Sequence, residues 1–393
     1  MIAAYIPTRD SNRITCHLVV NAALRLLADS GADVSAPNVH SDTPLHVAAR
    51  QGHYPCVIIL LARGARTDIE NSAGELPVEV CRGDCQSAIS LNMQLALSVR
   101  DCTKRFKLIT SDISNGHETY PIPCVNEIDD SAPEPFTYVT RHVMPTRIAV
   151  DNTLPTMQGC NCTGTDCSAS ACSCAAVSVR RWRGGGGRLL PSFPYHEPPM
   201  IFECNYTCGC RLSHCTNTTI TKLTNLGATF VRTVVFKRRR GGWGLRAARA
   251  LLRGAPAAAY IGELLPADEA DTRTMDQYMF GLHLKPTHIE QCVEKTQLCV
   301  DAAVYGSAAR FINHSCRPNL APVRVFTNTR DLRLPTITLF ATRDIAANEE
   351  LTFDYGDKFW SVKSKLFKCE CGEPECRYPT VTQDDSKSET VEN

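Results

Sequence analysis

The apolar positions of this chain fall into two regimes. In the first hundred residues they gather into short runs between turn signals, the clearest being Cys56–Ala62, closed by Gly64. Just upstream, Asp42-Thr43-Pro44-Leu45-His46-Val47-Ala48-Ala49 sets out a capping hydroxyl, a proline suited to a first helical turn, and small alanines. That order predicts two closely packed helices, the second stopped by the glycine. Gly31-Ala32, Asn38 and Pro44 then return as Gly64-Ala65, Asn71 and Pro77, an offset of 33 residues throughout. The later copy, Glu75-Leu76-Pro77-Val78, is degenerate, as terminal repeats are. From Ile220 onward the pattern changes to short β-rich runs such as Thr229–Phe236 and Pro335–Ala341, separated by turns.

Length and charge narrow the classes. With 393 residues there is room for two or three domains, and a formal charge of +1 implies no bulk attraction to nucleic acid or anionic lipid. No apolar run approaches the ~18 residues that span a bilayer. The opening MIAAYIPTRD lacks a basic region followed by an apolar stretch, so an intracellular protein without a membrane segment is expected.

Cysteine changes the picture most. Of 21 cysteines, nine crowd into Cys160–Cys215 (Cys160, Cys162, Cys167, Cys172, Cys174, Cys204, Cys208, Cys210 and Cys215) and three into Cys369–Cys376. Tight clusters in a long intracellular chain point to zinc rather than to disulfides. Nine thiolates can serve three zincs if three sulfurs bridge, and an all-thiolate closed site is structural rather than catalytic. Ile113–Gln158, rich in proline and polar residues, reads as a linker, and Gly184–Gly187 as a mobile loop.

The candidate chemistry lies in three ordered pieces: Gly242-Trp243-Gly244-Leu245-Arg246, then RFINHSCRPN at Arg310–Asn319, then EELTFDYGDKFW at Glu349–Trp360. By themselves the middle ten residues are a capped turn with a buried cysteine. Together the three resemble the SET-domain protein lysine methyltransferases. The 33-residue period resembles ankyrin repeats, the nine-cysteine cluster a pre-SET domain, and Cys369-x-Cys371-x4-Cys376 with Cys316 a post-SET zinc site. The segment WRGGGGRLLPSFPYHEPPMIFECN is similar to the insert of the euchromatic (EHMT/GLP) type.

The resemblance implies an α+β multidomain chain. Partial ankyrin repeats would span 1–108, a pre-SET domain with three zincs 109–219, a β-rich pseudoknotted SET domain 220–360 and a post-SET segment 361–380, followed by a disordered tail 381–393. A threaded C-terminus is a rare exception to unknotted topology. Only two and a half repeats are visible, so either residues are missing before Met1 or the repeats dock on the rest of the protein. Their face would bind a peptide or act as a spacer. An aromatic cage for methyl-lysine has little to draw on there, with no Trp and only Tyr5 and Tyr54.

By the same resemblance, S-adenosylmethionine would meet Gly242, Trp243, Gly244, Tyr278, Arg310, Asn313 and His314, with Phe359 and Trp360 closing over its adenine. Tyr355 would supply the catalytic hydroxyl, Tyr260 would orient the amine, and Phe280 and Phe353 would wall the channel. Asp271 and Asp276 would help hold an arginine beside the target lysine. Cys316, Cys369, Cys371 and Cys376 would bind a fourth zinc. The implied partners are the histone H3 tail, chromatin complexes in the nucleus, and a related methyltransferase paired through the SET region. The implied reaction is methylation of H3 lysine 9; another histone or non-histone lysine, or a catalytically weak adaptor, are the alternatives.

Departures from the type are local. Four residues separate Cys162 from Cys167 where three are usual. Pro256 and four alanines thin the strand before Tyr260, and Ala267, Gly281 and His283 replace aspartates. A lysine ε-amine must lose a proton before it can accept a methyl, although its unperturbed pKa is ~10.4, so an apolar aromatic channel is what the chemistry needs. Phe353 leaves room beside that amine, which predicts mono- and dimethylation, with trimethylation open. Phe353→Tyr is expected to shift products toward monomethyl-lysine, read by mass spectrometry of peptide products.

Overall fold

The computed structural model describes residues 23–28, 30, 32–100, 107–144, 148, 159–165, 167, 172–178, 182, 184, 187–273, 277–282, 298–363 and 368–378. Tyr5, Gly31, Asp276, His283 and the tail from Asp384 lie outside them. The helices are α1 (Pro44–Gln51), α2 (Tyr54–Ala62), α3 (Cys85–Arg100), α4 (Ser173–Val177), α5 (Thr219–Thr224), α6 (Ala267–Ala270) and α7 (Asp357–Lys363). The early strands are β1 (Lys107–Thr110), β2 (Cys124–Asn126), β3 (Thr137–Tyr138), β4 (Ile201–Phe202), β5 (Thr233–Lys237), β6 (Trp243–Ala247) and β7 (Pro256–Ala259). The later ones are β8 (Gly262–Pro266), β9 (Met279–Gly281), β10 (Leu298–Gly306), β11 (Asn313–His314), β12 (Leu320–Phe326), β13 (Thr336–Ala341) and β14 (Thr352–Phe353).

The sequence period is a structural period. Asn38 N–H donates to Asp42 O and Asn71 N–H to Glu75 O, both at 3.0 Å. Asn38 Oδ1 accepts from His40 and Asp42, and Asn71 Oδ1 from Ala73 and Glu75. At the matching left-handed positions stand Ser41 (φ 58°) and Gly74 (φ 77°). Thr43 caps α1 as expected: its Oγ1 accepts from His46 N–H, and its own N–H donates to His46 Nδ1 at 3.1 Å. That fixes the proton on His46 Nε2, which donates to Glu75 O at 2.9 Å and ties one repeat to the next.

The repeats dock on the segment after β1. Arg63 donates to Asn115 O at 3.1 Å, and Gly116 (φ +74°) lies so close to α2 that a Cβ there would meet Ile59 Cα at 3.2 Å. Tyr54 stands edge-on to Tyr120, whose other partner is the Arg232 guanidinium. It is therefore engaged in this contact rather than in a cage.

Among its described residues, the expected linker is structured. Asp112 accepts from Ser114 N–H and Oγ, Gly116 N–H and Ile122 N–H at 2.7–3.0 Å. Glu118 accepts from Tyr138 Oη at 2.7 Å and from Ala228 and Thr229 N–H at 3.1 Å. Burial pushes its carboxyl up to about 7 despite these bonds. Cys124–Asn126 enters a sheet of order β1-β2-β5-β6, so this polar stretch completes the SET-side core. Its polar residues carry local hydrogen bonds, which composition alone cannot distinguish from solvation.

Two further sheets (β3-β10-β8 with β9 on β10, and β4-β12-β13-β7) and the β11-β14 pair complete the strand pairings among the described residues. The alanine-rich β7 is wholly buried and pairs with β13, with Pro256 at a break in register opposite Phe340. A proline at the first residue of a strand costs the ladder little. Arg238–Gly242 is the hairpin turn between β5 and β6, closed by Arg238 N–H to Gly242 O at 3.1 Å. Because Ser41 and Gly74 are equivalent, Ser41→Gly should stabilise the repeats by about 1 kcal/mol and Gly74→Ser should destabilise them by a similar amount, read by thermal melts.

Candidate active site

The strands β11 and β14 run parallel, with Asn313 opposite Thr352 and His314 opposite Phe353. This pairing brings NHSC and TFDY together, the juxtaposition that the pseudoknot reading requires. Around it opens a cleft of about 1310 Å³, whose lining includes Gly242, Trp243, Tyr260, Tyr278, Phe280, Arg310, Asn313, His314, Phe353, Tyr355, Phe359 and Trp360. All but one of the predicted cofactor and channel residues therefore share one space.

The exception is Gly244. Gly242 borders the cleft with nothing within 4 Å of a Cβ position. Gly244 instead faces inward, where a Cβ would meet Phe236 Cε1 at 2.9 Å and Glu350 Oε1 at 3.0 Å. Its lack of a side chain serves packing of the sheet, not access to the cleft.

One end of the cleft is an aromatic channel. Ring centroids of Tyr260 and Phe280 lie 5.5 Å apart, Tyr260 and Phe353 6.5 Å, Phe280 and Phe353 6.1 Å, and Phe353 and Tyr355 4.9 Å. Tyr260 Oη donates to Tyr278 O at 2.7 Å and Tyr355 Oη to Ile312 O at 3.1 Å. The surrounding rings desolvate both phenols and push their pKa values well up, so both stay protonated.

The other end is polar at its base. Asn313 Nδ2 donates to Trp243 O at 2.9 Å and to Glu350 Oε1 at 3.1 Å, and Arg238 Nε meets that same oxygen at 2.9 Å. The sequence assigns Glu350 no role, because two adjacent acids before a strand carry no signal of their own. Arg310 is buried with its guanidinium 4.2 Å from the Phe136 centroid and 4.3 Å from that of Tyr278, donating to Ala302 O and Ala303 O. Its polar reach is thus largely spent inside the protein. Phe136 lies in the proline-rich stretch whose composition reads as a linker.

The post-SET ligands converge. Sγ atoms of Cys316, Cys369, Cys371 and Cys376 lie within 4.8 Å of one another, with Cys316 3.9 Å from Cys369 and 3.8 Å from Cys376. Tyr378, just beyond, stacks on Trp360 at 4.8 Å and donates to Asp357 at 2.6 Å, while Arg377 pairs with Asp354 at 2.5 Å. His314 sits inside this clasp; burial lowers its pKa to about 4, so it is neutral.

In the pre-SET cluster, three sulfur quartets share members: Cys160, Cys174, Cys204 and Cys208; Cys160, Cys167, Cys204 and Cys210; Cys160, Cys162, Cys167 and Cys172. Cys215 is buried beside Cys167 and Cys210. Sulfur separations of 3.9 Å (Cys160–Cys204, Cys172–Cys204) and 3.6 Å (Cys174–Cys208) are far from a disulfide's ~2.05 Å. Zn–S bonds of ~2.3 Å at tetrahedral angles put sulfurs ~3.8 Å apart, so the donor set fits zinc. Cys160, Cys167 and Cys204 each belong to more than one quartet, as bridging sulfurs must. The longer Cys162–Cys167 spacing is accommodated.

Of the two predicted substrate carboxylates, Asp271 lines the cleft at an exposed position and Asp276 lies outside the described residues. Ala267 and Gly281 border the same wall.

Comparison with known proteins agrees with this geometry. The SET domain family matches residues 242–356, the Pre-SET motif 114–218, and ankyrin repeats (many copies) 26–81. Fold, cysteine clusters and cleft thus define a SET-domain protein with a pre-SET cluster and an α-helical ankyrin region. Human histone-lysine N-methyltransferase EHMT1 is 40% identical over 276 residues, 70% of this chain and 20% of that protein. The H3 lysine-9 specific SUVH4 of Arabidopsis thaliana is 31% identical over 309 residues, 69% of this chain and 46% of that protein. A crystal structure of KRYPTONITE with mCHH DNA, H3(1-15) peptide and SAH superposes with a TM-score of 0.55 at 30% identity, covering 69% of this chain and 53% of that one. The chain thus carries SET, pre-SET and ankyrin regions in that combination and is similar to the histone-lysine methyltransferases of the EHMT type. It spans about a fifth of the length of EHMT1.

One titration follows from the channel's support. His142 Nδ1 donates to Gly262 O at 3.2 Å, its Nε2 is buried without a partner among the described residues, and desolvation lowers its pKa to about 4. A depressed folded pKa gives stability that is present above the unfolded value of ~6.5 and lost as pH falls toward 4. Compared with wild type, His142→Asn should take up fewer protons on unfolding across that window, read by chemical denaturation at several pH values.

Proposed function

We propose that this chain transfers methyl groups from S-adenosylmethionine to lysine 9 of histone H3, favouring mono- and dimethylation. The observation that carries the reading is the direct junction of the four-ring channel with the cleft end bordered by Gly242, Trp243, Asn313, His314 and Trp360. S-adenosylmethionine would be held by Gly242, Trp243, Tyr278, Asn313 and His314 with Phe359 and Trp360 above, Arg310 bracing the floor, and would supply an electrophilic methyl group.

The channel's part is to exclude water and so disfavour the ammonium form of an entering lysine. Tyr355 and Tyr260 remain protonated and cannot act as bases. Their hydroxyl oxygens still offer lone pairs, which suits them to orienting the amine and a polarised methyl group rather than to removing a proton. Phe353 and Phe280 close the sides, and Phe353 adds no hydroxyl that would hold water beside the amine. Alignment of the two reactants is the remaining requirement.

The reading includes four zincs, three in the nine-cysteine cluster and one at Cys316, Cys369, Cys371 and Cys376. It includes the domain limits 109–219, 220–360 and 361–380, with residues from 107 contributing strands to the SET side. Asp271 and Asp276 would meet a cation next to the lysine. Action on histones supports a nuclear, chromatin-bound setting, and family likeness supports pairing with a related methyltransferase.

The test is incubation with labelled S-adenosylmethionine and an H3 peptide, followed by mass spectrometry. One and two methyl groups on lysine 9 are expected. Tyr355→Phe should lower kcat by roughly 10²-fold or more with cofactor binding retained, and metal analysis should return four zincs. Cofactor binding without transfer to any peptide would overturn the enzymatic reading.

A further inference from the structure

We propose that the His314 side chain is a positioning residue that links the Cys316–Cys369–Cys371–Cys376 cluster to the backbone of Tyr355. The inference rests on the methyltransferase reading for its consequence, but its geometry stands apart from that reading.

The β11–β14 pairing is only two residues long, and its last outlying bond is Ser315 N–H to Phe353 O at 3.2 Å. Tyr355 lies past the end of this ladder, so its N–H needs another acceptor. That acceptor is His314 Nδ1, at 3.2 Å. A backbone N–H can only donate, so Nδ1 carries no proton and the ring hydrogen is on Nε2. Nε2 lies 3.4 Å from Cys316 Sγ, within N–H···S reach. One ring therefore bridges a cluster sulfur and the main chain of the channel tyrosine.

The neighbours hold it there. His314 is buried, with ring centroids of Trp360 at 4.9 Å, Tyr355 at 5.4 Å and Tyr378 at 5.9 Å. Asp354 Oδ1 approaches Nδ1 at 3.5 Å, but that carboxylate already accepts from Arg377 and from Gly356 N–H at 2.9 Å. A flipped ring would face Tyr355 N–H with carbon and leave Cys316 Sγ with Arg377 N–H, at 3.3 Å, as its remaining N–H donor among the described residues. A zinc-bound, deprotonated Cys316 would be the stronger acceptor and would lock the tautomer that Tyr355 needs.

Two substitutions separate the halves of the bridge. Asn places an acceptor near the Nδ1 position but cannot reach Cys316; Gln places a donor near Nε2 but offers nothing at Nδ1. In the full-length, zinc-loaded protein, His314→Asn should weaken zinc retention at the post-SET site by about 10- to 100-fold against a chromogenic chelator, while the Tyr355 amide stays protected in hydrogen-exchange mass spectrometry. His314→Gln should retain zinc and lose Tyr355 protection. It should also lower kcat by about 10-fold with KM for peptide within about twofold, the split expected when only the reacting geometry is disturbed. Wild-type zinc retention in His314→Asn, or an unchanged Tyr355 amide in His314→Gln, overturns the bridge. If wild-type protein transfers no methyl group, the function fails while the zinc and exchange results still decide the bridge.

Discussion

Everything in the catalytic third depends on one short parallel contact, the pairing of Asn313–His314 with Thr352–Phe353. Two residues of ladder give few backbone bonds, too few to hold two distant chain segments by themselves. The contact survives because side chains extend it. Asn319 Nδ2 donates to Glu349 Oε1 and Glu350 O, and its Oδ1 accepts from Thr352 N–H. Asn313 adds Glu350, and His314 adds Tyr355. Each bond is modest in net free energy, about 1 kcal/mol, but each is buried or half-buried, so leaving any one unmade would cost more. The asymmetry makes the junction specific as well as stable.

The channel follows from that junction. Phe353 is in the pair and Tyr355 two residues on, while Tyr260 and Phe280 arrive from β7 and β9 on separate sheets. Gly262 lets the Tyr260 turn approach β10, since a Cβ there would stand 2.3 Å from Asp301 O. Ser307 Oγ reaches Ala259 O at 3.2 Å, so the small side chains of β7 are matched by close neighbours. The proline and alanines of this strand are all buried in its pairing with β13.

Much of this was legible in the sequence where the chemistry is local or rigidly spaced. A 33-residue period predicts the twin Asn38 and Asn71 turns, and clustered cysteines predict sulfurs at metal-ligand separations. The three cofactor and channel motifs do meet in one cleft. Less legible were residues whose partners are remote. Arg310 read as a ligand-contacting cation because nothing in its own segment announces Phe136, 174 positions away and filed under linker. Gly244 read as an access glycine because the sequence does not say which face of β6 it occupies. Glu350 had no reading at all until Arg238 and Asn313 were placed against it. In each case tertiary neighbours, not local propensity, decide the role.

The wall beside Phe280 carries the last consequence. Glu263 and Asp301, the buried carboxylates behind it, are both claimed by Arg273, at 2.7 Å and 3.1 Å, with Glu269 a further 3.6 Å contact. Leaving such carboxylates unpaired would be costly, so the internal arginine cannot be readily displaced by one from a substrate. Ala267, Ala270, Met279, Gly281 and Cys299 present no charge to the cleft on this side. Among the described residues of this wall, a substrate cation meets Asp271 at an exposed position, where an ion pair is worth at most ~1 kcal/mol. An apolar channel disfavours a charged amine by desolvation, while the described residues of the wall beside it offer a basic group only the exposed Asp271.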